Sequence, residues 1–443
     1  MTSRTALLAL ALCAPWLAAA ADAPPVLKIH QHSLANGLKI VLAKDSSRPV
    51  VNLQVWYHVG SKDEKTGRTG FAHLFEHMMF RGSRNLGPEE HMRLVREAGG
   101  EVNAYTTFDA TVYWETFPAN YLEQMIWLEA DRMASLVINE ENFKKEREVV
   151  KEERRMRVDN PPYGKLMEDV LASAFQRYPY KNSPIGTMDD LNKATVADVK
   201  EFHDTFYVPN NATVVAVGDF EVEEALVLIR KHFTPIPRGK SAVPRVTATE
   251  PAQAKFAEVN KAYDNAPLEG VVSAWKLPPG NHPDRYALEI ASQILSSGQS
   301  SRLYRRLVYD EQAAVAAFGE GMFLEGPSLF FGAAIANQGK NIKEVSSSFQ
   351  FVIEQMRKEP VTAEELDKAR NQLLAGFITG KETMQSKADL LGSMAVLRGD
   401  AERYNTEIEN YRKVTAGDVQ RVVQKYLTAS NETRLWVKPE VKK

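Results

Sequence analysis

Two histidines and a glutamate occur within one short apolar stretch that has a helical pattern: His73, Glu76 and His77. On a helix, the two imidazoles project from the same face one turn apart, so both can reach one metal ion. Glu76 shares that face and lies close enough to hold a metal-bound water. Zinc favours such a set, with two neutral imidazoles, a third protein ligand and one position open to water. The alternative is a pair of core histidines satisfied by hydrogen bonds.

A second helix is predicted further along the chain, and it supplies candidates for the third ligand. Asn139 is a suitable N-cap, and the Asp159-Asn160-Pro161-Pro162 run ends the helix. At about 100° per residue its apolar residues fall on one side, which we expect to be buried. These residues are Phe143, Val149, Val150 and Met156.

The glutamates of this helix fall into two groups. Glu148 and Glu152 lie opposite the apolar side, and Glu140 and Glu141 occupy the first turn, where acidic residues suit the helix dipole. In contrast, Glu146 and Glu153 lie near the middle of the apolar side. A carboxylate on a buried face is costly unless it is paired or bound to metal. The pattern indicates a metal ligand and a second carboxylate that orients a ligand, and the alternative is a buried salt bridge to an arginine.

The sequence around these residues resembles the pitrilysin/insulinase family of inverted-zincin metallopeptidases, which includes the mitochondrial processing peptidase. The matching segments are the His-x-x-Glu-His set, Glu153 76 positions after His77, and several flanking stretches. The flanking stretches are residues 60–64, 70–82, 99–106, 207–212 and 218–220. The similarity is strong for residues 28–220 and diffuse afterwards.

The resemblance assigns roles to individual residues. It implies that His73, His77 and Glu153 bind one Zn²⁺ per chain, that Glu76 is the general base, and that Glu146 supports the metal site. It also implies that the strand carrying Asn103 and Ala104 receives an extended peptide as an added strand. A purely structural edge strand is the alternative for that segment. Phe80 is expected either to line the pocket near the metal or to belong to the core.

Charge and composition narrow the function and the compartment. A net charge of −2 and the lack of a basic stripe argue against nucleic-acid binding. Residues 1–21 have the pattern of a signal peptide, and no other stretch is apolar enough for a stable membrane span. The only cysteine, Cys13, lies within this segment. We therefore expect a periplasmic protein, or alternatively a secreted one.

The predicted elements indicate an α+β fold of two similar domains, a metallopeptidase half-clamshell. Each domain is expected to be an antiparallel sheet flanked by helices, as the resemblance implies. We expect a catalytic zinc domain at 26–233, a proline-rich linker at 234–253 and a structurally related domain at 254–443. The remaining histidines, His91 among them, are expected at the surface or in capping positions.

One departure from the family concerns the second half. Self-sufficient members carry an arginine and a tyrosine seven residues apart that support the transition state, whereas this chain has Val308 and Val315. The resemblance thus implies a zinc endopeptidase that is the catalytic subunit of a heterodimer, with a homologous partner supplying the pair. A self-sufficient homodimeric peptidase and a non-catalytic peptide-binding scaffold are the alternatives.

Overall fold

The fold is described from a computed structural model that covers residues 26–264 and 266–440. The predicted signal peptide and Cys13 lie outside these residues. None of the helices in the described part of the chain combines the length and apolar character needed to span a bilayer.

The first half of the chain builds a six-stranded sheet. Its order is β1-β2-β6-β3-β5-β4, in which only the β2–β6 pair is parallel. The strand β4 lies at one edge and pairs, among the described strands, only with β5. The strands are β1 (Ile29–Ser33), β2 (Lys39–Lys44), β3 (Val50–Tyr57), β4 (Glu101–Thr106), β5 (Thr111–Pro118) and β6 (Ala212–Gly218).

Eight helices accompany this sheet within the described residues. They are α1 (Phe71–Met78), α2 (Glu90–Glu97), α3 (Leu122–Ser135), α4 (Glu140–Arg154), α5 (Leu166–Ala174), α6 (Met188–Lys193), α7 (Val196–Phe206) and α8 (Val222–Phe233). A π-helical turn, Arg155–Asp159, prolongs α4. No helix or strand lies between Phe233 and Ala257 in the described chain, and this segment includes the predicted linker.

The second half builds a five-stranded sheet in the order β7-β11-β8-β10-β9. Its strands are β7 (Ala257–Tyr263), β8 (Gly270–Leu277), β9 (Ala314–Met322), β10 (Ser328–Ala336) and β11 (Glu432–Pro439). Its helices are α9 (Arg285–Ser296), α10 (Arg302–Tyr304), α11 (Ile342–Lys358), α12 (Ala363–Thr379), α13 (Met384–Leu397), α14 (Arg403–Arg412) and α15 (Ala416–Tyr426).

The two sheets share one topology. If β1 is left out, the first order is β2-β6-β3-β5-β4, and it corresponds strand for strand to β7-β11-β8-β10-β9. The single parallel pair also occupies the same place in both sheets, β2–β6 in one and β7–β11 in the other. The prediction of two similar α+β units is confirmed, although each sheet is mixed rather than wholly antiparallel.

Each half covers a face of the other half's sheet. Helix α13 packs on β3 and β6, so that Ala388 and Leu391 share an apolar cluster with Trp56 and Val215. Conversely, α5 packs on β8 and β11, where Leu171 joins the cluster of the second sheet. The halves therefore depend on each other for burial of apolar surface.

Two glycines with positive φ shape turns in the first half. Asn36 and Gly37 turn the chain between β1 and β2, and Gly37 has a φ of +93°, which a residue with a side chain rarely adopts. Gly99, with a φ of +79°, follows α2 as expected of a helix C-terminus. The residue pattern did not predict α6, α8, α14, α15 or β11.

Candidate metal centre

Helix α1, which carries His73, Glu76 and His77, is fixed at its N-terminus by the carboxylate of Glu64, a half-buried residue. Glu64 Oε2 accepts a hydrogen bond from the Gly70 amide at 3.0 Å, and Oε1 accepts one from Ala72 at 2.9 Å. Gly70 has a φ of +87°, and a Cβ there would lie 2.7 Å from the Ile185 carbonyl oxygen. The loop before α1 therefore sets where the two imidazoles point.

Helix α4 carries the predicted third ligand. Asn139 caps it as expected, accepting a hydrogen bond from the Asn142 amide at 2.8 Å. Phe143 and Val150 are buried, and α4 packs against α1. This contact brings Glu146 and Glu153 beside the histidines of α1.

The three predicted metal ligands converge. Glu153 Oε2 lies 3.6 Å from His73 Nε2 and 3.4 Å from His77 Nε2. One ligand atom from each of these residues lies within 4.8 Å of the others. Two imidazole nitrogens and one carboxylate oxygen at such separations are a donor set that suits zinc.

Glu146 occupies the other side of His77. Its Oε2 lies 3.3 Å from His77 Nδ1, so an Nδ1–H donated to Glu146 leaves Nε2 to face Glu153. Glu146 Oε1 also accepts a hydrogen bond from Arg81 Nε at 2.6 Å. Glu146 thus forms the salt bridge to an arginine that was the alternative prediction, and it contacts His77 as well.

A second arginine holds Glu153. Arg157 Nη1 lies 2.6 Å from Glu153 Oε1, and the π-helical turn after α4 places it there. Since Arg157 binds Oε1, Oε2 is the oxygen that approaches both imidazoles. Arg81 and Arg157 were not singled out in the sequence, although Arg81 lies four residues after His77 and Arg157 lies four residues after Glu153.

Glu76 is buried on α1 and hydrogen-bonded to the edge strand. Thr106 Oγ1, at the end of β4, donates to Glu76 Oε2 at 2.6 Å. Burial raises the pKa of Glu76, and the bond from Thr106 acts in the opposite direction. The contact of Thr106 with Glu76 could not be predicted from the sequence, because it depends on how β4 packs against α1.

The pKa values of the two histidines shift in opposite directions. Burial lowers the pKa of His77, but contacts with Glu146 and Glu153 outweigh it and raise the value to about 9. Burial and then the neighbouring charge of His77 lower the pKa of His73 to about 4. The contact with His77 lowers the pKa of Glu153. The two carboxylates thus favour positive charge on the His77 ring.

These residues border an open cleft of about 740 Å³. Phe80, Asn103 and Ala104 line it, so the structure brings all the predicted substrate-contacting residues to the predicted metal ligands. The expectation that Val149 and Met156 are core residues is wrong: they are 46% and 61% exposed and also line the cleft. The face of α4 and of the following π-helical turn that carries these two residues borders a cleft, so the helical pattern alone mistook cleft for core.

The expected surface or capping role of His91 is also wrong. His91 is buried and contacts Glu115, while Arg132 forms a two-bond ion pair with Glu129. Although His91, Glu115 and Glu129 lie close enough to bind a metal, the Arg132 guanidinium already supplies a cation there. Arg132 also stacks on Tyr113, 4.4 Å from the ring centre, and the cluster lies behind the cleft residue Phe80.

The two valines predicted to replace the family's arginine and tyrosine lie beside the free edge of the second sheet. Val308 is half-buried in a π-helical turn, and Val315 is 49% exposed at the start of β9. By topology β9 is the counterpart of β4. Tyr309, next to Val308, is exposed as well.

Family models and related proteins match most of the chain. A family model described as insulinase, peptidase family M16, matches residues 39–188, and one described as the peptidase M16 inactive domain matches residues 193–373. The chain is 34% identical to the zinc protease PqqE of Helicobacter pylori over 96% of both chains. It is 26% identical to the probable zinc protease PqqL of Escherichia coli, over 84% of this chain and 41% of PqqL.

Solved structures show the same fold. A protease from Helicobacter pylori superposes with a TM-score of 0.89 at 32% identity, covering 93% of this chain and 100% of that one. The periplasmic protease PqqL from Escherichia coli superposes with a TM-score of 0.75 at 20% identity, covering 93% of this chain and 47% of that one. With its sequence match extending along nearly the whole chain, this protein belongs to peptidase family M16, the insulinase and pitrilysin family.

Proposed function

We propose that this chain is a zinc-dependent endopeptidase that cleaves extended peptides or unfolded segments. The observation that carries the proposal is the convergence of His73, His77 and Glu153 in a cleft bordered by the edge strand β4. Zinc bound by these residues would polarise a peptide carbonyl and lower the pKa of a bound water towards about 7. The zinc protease names of its relatives support the same assignment.

Two glutamates of the chain are assigned the proton transfers and the orientation of His77. Glu76 accepts the proton of the attacking water and delivers it to the leaving amine. Because Thr106 binds Oε2, Oε1 is the oxygen left to carry that proton. The raised pKa of Glu76 makes its carboxylate a better base for the first step, since a weaker acid has a stronger conjugate base. Glu146 holds the tautomer of His77 that directs Nε2 towards Glu153.

Peptide binding is assigned to the free edge of β4. An extended segment would add to the sheet beside Asn103 and Ala104, so main-chain hydrogen bonds supply most of the recognition. Such binding makes little demand on the sequence of the peptide. Phe80 would contact the side chain that enters the cleft.

The central test replaces the general base and leaves the metal ligands in place. Glu76→Gln is expected to retain one zinc per chain and the wild-type melting temperature, while cleavage of an internally quenched peptide falls by about 10³-fold. Glu148→Gln, at an exposed glutamate of α4, is the matched control and should retain full activity. Wild-type cleavage by Glu76→Gln would exclude the mechanism. Failure of the wild type to bind zinc would favour a non-catalytic scaffold.

We further propose that the chain is the catalytic subunit of a heterodimer, with a self-sufficient homodimer as the alternative. Val308 and Val315 stand where self-sufficient relatives have the substrate-contacting pair. The structure of PqqL supports the need for a second subunit, because this chain corresponds to 47% of the length of PqqL and superposes on its first half. If the purified chain cleaves peptides at full rate and a homologous partner changes nothing, the heterodimer proposal is wrong.

The periplasm is the proposed location, with secretion as the alternative. The signal-peptide pattern of residues 1–21 supports export, and the similar PqqL is described as a periplasmic protease. Isolating the native protein from the cell envelope would test the location. Identifying the chain that co-purifies with it would name the partner.

A further inference from the structure

Helix α13 of the second half contacts the strand that borders the cleft. Asp389, on α13, accepts a hydrogen bond from Tyr105 Oη at 3.1 Å through its Oδ1. The same oxygen accepts one from Gln54 Nε2 at 3.0 Å, and Gln54 Oε1 accepts one from Trp56 Nε1 at 2.6 Å. Tyr105 belongs to β4, so a carboxylate from the second half is joined to the edge strand of the first.

The packing around this contact leaves little freedom. Trp56 meets Tyr105 edge to face, with ring centres 6.3 Å apart. On the other side of Trp56 lies Gly392 of α13, where a Cβ would come within 2.3 Å of the indole. Helix α13 thus lies directly on Trp56, and Trp56 lies against Tyr105.

A second connection holds the turn that follows β4. Asp109 accepts hydrogen bonds from Lys62 Nζ at 2.9 Å and from the Glu325 amide at 3.0 Å. Glu325 belongs to the turn between β9 and β10 of the second half, and it also contacts His58 and Lys62. Residues of the second half therefore contact this segment at two places, Tyr105 and Asp109.

We propose that Asp389 and Tyr105 are positioning residues, through which the second half holds β4 in the geometry needed for peptide cleavage. An edge strand is bonded to the sheet on one side only and opens more readily than an inner strand. β4 carries Thr106, which binds Glu76, and Asn103 and Ala104, which border the cleft. Fixing Tyr105 therefore fixes its neighbour Thr106 and the free edge together. As far as it concerns peptide cleavage, this inference rests on the proposed function.

Three variants separate the hydrogen bond from general packing. Tyr105→Phe removes only the hydroxyl group, and Asp389→Leu removes the acceptor but keeps a side chain of similar size. Asp389→Asn keeps an oxygen that can accept both bonds. Amide hydrogen exchange of residues 101–106 is measured first, because it needs no substrate. We expect exchange to be about three- to tenfold faster in Tyr105→Phe and Asp389→Leu, and within twofold of wild type in Asp389→Asn.

Zinc content and kinetics complete the test. Zinc binding should be unchanged in all three variants, while kcat/KM for an internally quenched peptide falls by about the same factor as exchange rises in the first two. Unchanged exchange in both Tyr105→Phe and Asp389→Leu would overturn the inference, whatever their activity. If the wild type cleaves no peptide, the proposed function fails, but the exchange result still decides whether the second half holds β4.

A pair of glycine variants tests the packing independently. Gly392→Ala adds a methyl group against Trp56, whereas Gly376→Ala, on α12, adds one to open space. Gly392→Ala is expected to accelerate exchange of residues 101–106 and Gly376→Ala is not. Equal exchange in the two variants would show that α13 does not hold the strand.

Discussion

At the scale of single residues, Glu153, a proposed zinc ligand, has different partners at its two carboxylate oxygens. Glu153 directs Oε2 to the imidazoles and Oε1 to Arg157. We predict that Arg157→Ala weakens zinc affinity by about tenfold or more, because partners of metal ligands hold those ligands in place. Arg155→Ala is the matched control, since Arg155 pairs with Glu152 in the same turn. Zinc affinity measured by chelator competition should separate the two variants, and equal affinities would show that Arg157 has no such role.

The buried charge cluster behind the cleft makes a prediction about pH. Burial raises the pKa of Glu115 to about 7, and Arg132 forms its two-bond ion pair with Glu129. The folded protein therefore keeps a proton on Glu115 that the unfolded chain releases near pH 4.5. This contribution to stability is complete below about pH 4.5 and is lost as the pH rises through about 7. Urea unfolding at pH 5.5 and pH 8 should show a smaller decrease for Glu115→Gln than for wild type, and parallel decreases would contradict the assignment.

At the scale of secondary-structure elements, α1 depends on the carboxylate that caps it. Glu64 accepts hydrogen bonds from the Gly70 and Ala72 amides at the N-terminus of α1. Glu64→Ala is expected to lower the free energy of unfolding by about 2 kcal/mol and to weaken zinc binding, because both histidines are on α1. Glu221→Ala is the control, since Glu221 precedes α8 without capping it. Chemical denaturation of both variants checks the difference, and equal losses would show that the cap is unimportant.

At the scale of the whole molecule, each half supplies a helix that buries one face of the other half's sheet. Without α13, residues of the first sheet such as Val41, Trp56 and Val215 would face solvent. We predict that a fragment of residues 26–239 does not fold cooperatively alone and that adding residues 240–443 restores a cooperative transition. Circular dichroism and binding of a hydrophobic dye would measure both effects. A fragment that unfolds cooperatively by itself would show that packing of the second half on the first sheet is not required for folding.

Much of the metal centre could be predicted because its residues are arranged by local geometry. His73 and His77 are one helical turn apart, and Glu153 shares the apolar side of its own helix with Glu146. The periodicities of 2 and 3.6 residues likewise located most strands and helices in both halves. The same reasoning failed for Val149 and Met156, because a helical face next to a cleft has the same composition as one next to a core. It failed for His91 because Glu115, which this histidine contacts, lies on a different element.

By itself, the amino-acid sequence determined which residues share a face of α1 and of α4, and hence which donors could bind zinc. Only the tertiary structure decided that Thr106 reaches Glu76 and that Asp389 contacts Tyr105 from 284 positions away. The reason is physical: hydrogen bonds along one helix or strand fix the spacing of near neighbours. Contacts between distant segments depend on how sheets and helices of the complete chain bury their apolar faces against each other.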